Sequence, residues 1–121
     1  MLVSAARLRQ QVASLFNVTA DVSKVTRTDL GGGRWREDPE LLYADEPCRI
    51  APLTARQIEI GLRRGSEVTH ALVYDPDRAI LPGYLVTDAQ GREFVVEIGP
   101  IEPSIPGVYK KVEMRQRFNE P

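Results

Sequence analysis

The sequence predicts an all-β protein: a small antiparallel β-barrel or sandwich with an N-terminal α-helix and a long loop between the second and third strands. Residues 68–118 form a series of short segments rich in β-branched and aromatic residues, the residue types that strands favour. Gly, Pro and Asp separate these segments at the spacing of tight turns. A convincing helical periodicity occurs in one place, close to the N-terminus.

The size and charge of the chain limit its number of domains and the classes of protein to which it could belong. A chain of 121 residues is one domain, large enough to bury a core, and we divide it into a helix over residues 1–17 and a barrel over residues 18–121. A net charge of −1 argues against a domain that binds nucleic acid over its whole surface, since such domains are strongly basic. A local basic patch stays possible.

The sequence contains little that could hold a metal ion or cross a membrane. The single cysteine, Cys48, cannot form an internal disulfide, and with the single histidine it does not make a metal-binding set. No apolar run approaches the roughly 20 residues that span a bilayer, and the N-terminus does not have the layout of a secretory signal. We expect no metal, no cofactor and no membrane partner.

The first element is a helix over residues 2–16. Its apolar face consists of residues spaced by three, four or one positions: Leu8, Val12, Leu15 and Phe16. Asn17 tolerates the left-handed conformation that ends many helices. A helix of this length is marginal alone, so it must pack either on its own barrel or on a neighbouring subunit.

The first two strands follow this helix. Residues 18–28 change their alternation between Val22 and Val25, which predicts a bulge in the first strand. Residues 29–33 end in three glycines and predict a flexible loop, and Trp35 lies in a polar stretch that ends at Pro39. The second strand is expected over residues 41–53.

The remaining strands are expected over residues 68–74, 83–87, 92–98 and 108–118, with a tight turn at residues 88–91 in which Gly91 takes positive φ. Alternation selects one inward face, and the core is predicted to contain Val22, Ile50, Leu72, Val86, Phe94, Val96, Ile98, Val112 and Met114. A shift of one residue would exchange the two faces, so the opposite phase is the open alternative.

The segment between the second and third strands carries the candidate functional residues. Thr54 could cap a short helix and Ile58 and Leu62 lie four apart, but Gly61 lowers the helix propensity. We therefore interpret residues 53–66 as a long, half-ordered loop. It contains three arginines and three large aliphatic residues: Arg56, Ile58, Ile60, Leu62, Arg63 and Arg64. A guanidinium binds phosphates or carboxylates through two donors, although a solvated loop face is the alternative.

No catalytic arrangement is evident. Asp75 and Asp77 flank a proline in a turn, which is typical of solvated carboxylates and not of a catalytic cleft. His70 has no nucleophile motif near it, and residues 31–33 lack the Lys-Ser/Thr that follows a phosphate-binding loop. These features favour a structural or assembly protein over an enzyme.

The order of the segments resembles a known family. An amphipathic helix, a first strand, a glycine loop, the stretch at residues 43–52, a variable charged loop and the motif at residues 67–70 succeed one another, before the hairpin at residues 88–98. This order resembles the head–tail connector proteins of long-tailed bacteriophages, which are called head-completion, head-closure or stopper proteins. The strand at residues 47–50 is similar to versions from phages of actinobacteria. The Pro-rich link at residues 100–107 departs from many relatives.

The resemblance implies a non-enzymatic structural protein of the virion neck, made in the host cytoplasm. It implies a homo-oligomeric ring, usually hexameric, between the portal and adaptor rings and the tail. Such a ring closes the DNA exit channel and provides a docking surface for the tail terminator or tail tube protein. The loop between the second and third strands reaches the channel axis in this family, where it could contact packaged DNA. Residues 53–66 correspond to it here.

A second hypothesis is a small barrel adaptor module that binds a peptide or nucleic acid in the cytoplasm. It requires a basic sheet face with exposed aromatic residues, and the candidates are Tyr74, Tyr84, Phe94 and Tyr109. These residues lie within alternating strands, where a place in the core is the favoured interpretation.

Overall fold

A computed structural model describes residues 5–103 and 107–117 of the chain. Its elements are α1 (Ala5–Ala13), β1 (Val18–Gly31), β2 (Arg34–Pro52), α2 (Ala55–Arg63), β3 (His70–Tyr74), β4 (Leu85–Asp88), β5 (Glu93–Ile101) and β6 (Lys110–Arg117). The strands close into a barrel in the order β1-β2-β3-β6-β5-β4, and all neighbouring strands run antiparallel. The predicted all-β fold with an N-terminal helix is confirmed.

The core confirms the predicted strand phase. Seven of the nine predicted core residues are at most 1% exposed: Val22, Leu72, Val86, Phe94, Val96, Val112 and Met114. The other two are half-buried. Ile50 packs against the edge of the core, and Ile98 follows a register shift in the pairing of β5 with β6. The opposite phase is therefore wrong.

Tyr74 is fully buried, as the core interpretation of the strand aromatics predicted, and so is Ile80, which sequence analysis did not assign to the core. Ile80 lies in the connection between β3 and β4, and its carbonyl accepts a hydrogen bond of 3.5 Å from the Tyr74 hydroxyl. Ile80 belongs to the same buried cluster as the strand residues, so it holds this connection against the barrel.

The predicted bulge in β1 is present. The register of β1 against β2 shifts on both sides of Val22, which changes the alternation of the strand at that residue. Val22 stays buried, so the bulge adjusts the strand without turning its core residue outward.

β1 and β2 continue well beyond the barrel. β1 pairs with β4 only as far as Ser23, and β2 pairs with β3 only from Cys48 onward. Residues 24–40, which we call the arm, pair across β1 and β2 as a two-stranded ribbon. Its tip is a two-residue turn with φ of 62° at Gly32 and 78° at Gly33, the conformation of a type I′ hairpin.

The arm corrects two expectations. The predicted loop at residues 29–33 is mostly strand with a tight turn, and the polar stretch from Trp35 to Pro39 is part of β2. Glycine tolerates the positive φ of the turn, and a proline fits a strand whose outer edge has no partner. The three glycines and the polar stretch that follows them are therefore compatible with an exposed two-stranded ribbon.

The N-terminal helix is shorter than predicted. α1 ends at Ala13, and the predicted residues 2–4 lie outside the described residues. Arg9 donates hydrogen bonds of 2.8 Å to Asp75 and 2.7 Å to Asp77. These contacts attach α1 to its own barrel.

The interpretation of residues 53–66 as a half-ordered loop is wrong. Most of this segment is helix α2, which has defined signals at both ends. Gly61, which argued against a helix, is buried where α2 meets the segment that leads into β3.

Candidate functional site

α2 begins at a complete capping box. The Thr54 hydroxyl accepts a hydrogen bond of 3.2 Å from the Gln57 backbone N–H. In return, the Gln57 side-chain oxygen accepts one of 2.9 Å from the Thr54 backbone N–H. Two backbone donors that a helix start leaves unsatisfied are thus bound, which fixes where the helix begins.

Gly61 and Gly65 fix how α2 ends and where it lies. A Cβ built on Gly61 would lie 2.7 Å from Cγ2 of Val68 and 3.2 Å from the Ser66 carbonyl oxygen. Only glycine permits this approach without displacement. Gly65 has φ of 81°, and the Ser66 N–H donates a hydrogen bond of 2.9 Å to the Gly61 carbonyl, so the chain turns sharply back towards β3.

The structure brings the six predicted site residues together on α2 and the residue that follows it. Ile58 is half-buried, while Ile60 and Leu62 are 40% and 54% exposed. Arg63 forms an exposed ion pair of 2.8 Å with Glu59. Within the described part of the chain, Arg56 and Arg64 have no ion pair. α2 thus presents apolar side chains and free guanidinium groups on one short element.

Two clefts run beside α2. The larger, of about 310 Å³, separates the start of α2 from the outer face of β2, β3 and β6. Its lining comprises Arg49, Ala51, Pro52, Leu53, Gln57, Ala71, Val73, Tyr109 and Lys111. The smaller, of about 110 Å³, lies between Arg64 on one side and Ile98 and Glu113 on the other. Arg49 and Lys111 extend the basic character of α2 onto the barrel.

A third groove, of about 500 Å³, lies between the arm and the outer face of β4, β5 and β6. Its arginines face carboxylates: Glu37 lies 3.2 Å from Arg27 and 3.4 Å from Arg117. Arg115 lies 3.0 Å from Glu97. Glu37 thus pairs with Arg27 in the arm and with Arg117 in β6, and these ion pairs hold the arm against the barrel. Sequence analysis missed this groove because the partners are 80 residues apart.

The two isolated reactive side chains are structural. Burial, followed by the charges of Glu46 and Asp88, raises the pKa of the Cys48 thiol to about 12, which leaves it protonated and unreactive. Burial lowers the pKa of His70, and the charge of Arg92 lowers it further. The His70 ring meets Phe94 edge-on, with centroids 4.9 Å apart. The structural interpretation of His70 agrees with this geometry.

The two carboxylates considered as a catalytic pair form ion pairs, because Asp75 and Asp77 both bind Arg9. Asp75 and Asp77 therefore attach α1 to the barrel and are not only solvated turn residues. Across residues 5–103 and 107–117, His, Cys, Asp and Glu form no group of three that could hold a metal ion.

No protein-family model matches the chain, and its sequence matches no curated protein. Neither helix that the structure describes has the length and apolar character to span a membrane.

Proposed function

We propose that this chain is a structural protein of the bacteriophage neck that forms a hexameric ring between the portal and adaptor rings and the tail. The ring closes the DNA exit channel and offers a docking surface to the tail terminator or tail tube protein. The observation that carries the proposal is α2, because this element between β2 and β3 exposes Ile60, Leu62 and unpaired arginines.

The apolar residues support burial between copies. Ile60 and Leu62 are 40% and 54% exposed. Because residues two apart on a helix do not face each other, they offer aliphatic contacts on two sides of α2, and a copy in a ring has a neighbour on each side. In a ring, α2 of one copy packs against a neighbour and removes these side chains from water.

The arginines support a role at the channel. Arg56 and Arg64 have no carboxylate partner among the described residues, so their charge is available to an external anion. DNA phosphates attract such groups without regard to sequence. A ring that repeats these arginines in every copy would concentrate positive charge around its opening, where a packaged DNA end would meet it.

The capping box refines the expected mechanism. A half-ordered loop would have to order on assembly and would lose conformational entropy. α2 is already helical, so its side chains keep a fixed spacing before assembly, and the ring forms with a smaller entropic cost.

The adaptor alternative has weaker support. Tyr74 and Phe94, two of its four candidate aromatics, are fully buried, and Tyr84 and Tyr109 are half-buried. They do not form an exposed stacking surface for bases or for a peptide.

The test is complementation of a phage that lacks its own copy of the chain. Replacing residues 56–64 by a Gly-Ser linker removes α2 and leaves the barrel, because the Leu53 N–H still donates to the Thr69 carbonyl beside the replaced segment. We expect particles that package DNA and then lose it, or heads that do not join tails, scored by particle yield and DNA retention.

A finer variant keeps the helix and removes its charge: Arg56→Gln, Arg63→Gln and Arg64→Gln together. The matched control removes the same number of positive charges from exposed positions elsewhere, through Lys24→Gln, Arg34→Gln and Arg36→Gln; Arg36, like Arg63, has only a local ion pair, with Asp38. We expect DNA loss with the first set and normal particles with the control. Normal yields of tailed, DNA-filled particles with the linker variant would contradict the proposed role of α2.

A further inference from the structure

β3 is apolar on both faces, although a barrel strand needs apolar residues only on its inner face. Leu72 and Tyr74 are at most 1% exposed and belong to the core. The intervening Ala71 and Val73 alternate to the outer face and are half-buried. Strands that are covered on both faces have such continuous apolar runs, whereas strands with one solvated face alternate between apolar and polar residues. The sequence of β3 therefore indicates that its outer face is covered.

α2 covers this outer face only in part. The cleft of about 310 Å³ beside the start of α2 has Ala71 and Val73 in its lining, and we call it the β3 cleft. Ala51 pairs with Ala71 across β2 and β3 and lines the same cleft, together with Leu53 and Tyr109. The floor of the β3 cleft is therefore apolar, and Val73 remains partly accessible to solvent.

Two cations lie on either side of Val73. Arg49 pairs with Val73 across β2 and β3, and Lys111 pairs with Val73 across β3 and β6, so the three residues form one row on the outer face. Since neighbouring strands are about 4.8 Å apart, the two cations are attached to backbone positions roughly 10 Å apart. Both line the β3 cleft, and neither has a hydrogen bond or ion pair in the described part of the chain.

Among the described residues, no carboxylate lines the β3 cleft. Asp75 follows β3 directly, but it binds Arg9 at 2.8 Å. Glu113 lies on the same outer face, where it pairs with Ala71, but it lines the smaller cleft beside Arg64. The β3 cleft thus combines an apolar floor with two positive charges that have no carboxylate of their own.

We infer that the β3 cleft binds an acidic peptide segment of a partner protein, in which a carboxylate lies next to a large apolar side chain. The apolar side chain packs on Val73 and Ala71, and the carboxylate pairs with Arg49 or Lys111. An arginine can hold a carboxylate through two parallel hydrogen bonds, and complementary charges fix the orientation of a bound partner.

The apolar floor favours a peptide over DNA. Phosphates are bound by cations and polar donors, and a DNA backbone in the β3 cleft would leave Ala71 and Val73 without an apolar contact. A peptide supplies both kinds of group within a few residues. The neck function proposed above places DNA at the arginines of α2, so the β3 cleft is a separate site, and the inference holds whether or not the chain forms a ring.

Selection from a library of short random peptides displayed on yeast tests the inference, with the purified chain as the target. We expect the enriched sequences to carry Asp or Glu next to a large apolar residue. The strongest binder is then synthesised and titrated by fluorescence anisotropy. Its amide version, with Asn and Gln in place of Asp and Glu, should bind about tenfold more weakly, because it lacks the charge that Arg49 and Lys111 recognise.

Substitutions in the β3 cleft separate the ionic contact from the apolar one. Arg49→Gln with Lys111→Gln removes both cations and should weaken binding of the peptide about tenfold. Val73→Thr keeps both charges and should weaken it about fourfold, because a hydroxyl replaces a methyl group beneath the apolar side chain. Lys24→Gln with Arg34→Gln is the matched control, since it removes the same charge from exposed positions of the arm and should leave binding unaltered.

Acidic peptides whose affinity falls in both cleft variants, but not in the control, support the inference. A selection without such peptides, or binding that Val73→Thr leaves unchanged, overturns it. A DNA duplex that binds through Arg49 and Lys111 without any effect of Val73→Thr would instead identify a nucleic-acid surface. Self-association that the double glutamine variant abolishes would identify a second copy as the occupant, and it too overturns the inference. The neck function is tested separately, by the α2 variants in particles.

Discussion

The two halves of β1 both form strand, but their apolar residues differ in exposure: those of the first half are buried and those of the arm are exposed. In residues 18–23, Ala20 and Val22 are 3% and 1% exposed, whereas Leu30 in the arm is 57% exposed. The difference arises from the neighbours, because β4 pairs with β1 only up to Ser23 and the arm pairs with β2 alone among the described strands. Alternation therefore identifies a strand, and closure of the barrel decides whether its apolar residues form a core or an exposed surface.

The largest expected effect contrasts one aromatic from each region. Phe94→Ala should destabilise the protein by about 3–5 kcal/mol, since Phe94 is fully buried in the barrel. Trp35→Ala should change the free energy of unfolding by about 0.5 kcal/mol or less in dilute solution, because its side chain lies in the exposed arm. Urea denaturation measures both. A large loss of stability from Trp35→Ala, at concentrations where the chain is monomeric, would mean that the Trp35 side chain itself packs on its own barrel.

A smaller effect tests whether α2 lies in close contact with Val68 at Gly61. Glycine to alanine in a helix ordinarily stabilises it by up to about 1 kcal/mol. At Gly61 we expect the reverse, a loss of about 1–3 kcal/mol, because the new Cβ would lie 2.7 Å from Val68. Thermal or urea unfolding measures the change.

Val68→Ala provides the control for this substitution. It removes the Cγ2 atom that the new methyl group would meet, so Gly61→Ala should cost much less in that background. A stabilising effect of Gly61→Ala in the wild-type chain would show that α2 does not lie where the structure places it.

The barrel could be predicted from the sequence because its signals are local. Phe94 and Met114 alternate with polar residues in short strands bounded by turns, and this periodicity alone directs them inward. Ile98 was predicted to be buried and is half-buried, because a register shift precedes it. Ile80 was not predicted, because an isolated apolar residue in a connection carries no periodicity.

The candidate site was only partly predictable, because its conformation depends on tertiary contacts. The six residues were identified from composition. Gly61, however, was interpreted only from its low helix propensity, whereas in the structure it provides the space that Val68 occupies beside α2. The signal that could have identified α2 was the Thr54 and Gln57 spacing, which forms the capping box.

The most direct test of the neck proposal is a cryo-electron microscopy reconstruction of purified particles of a phage that encodes this chain. The account predicts a ring of six-stranded barrels between portal and tail, with α2 of each copy towards the channel. A neck in which this fold is absent, or a ring whose channel is lined by another element, would contradict it.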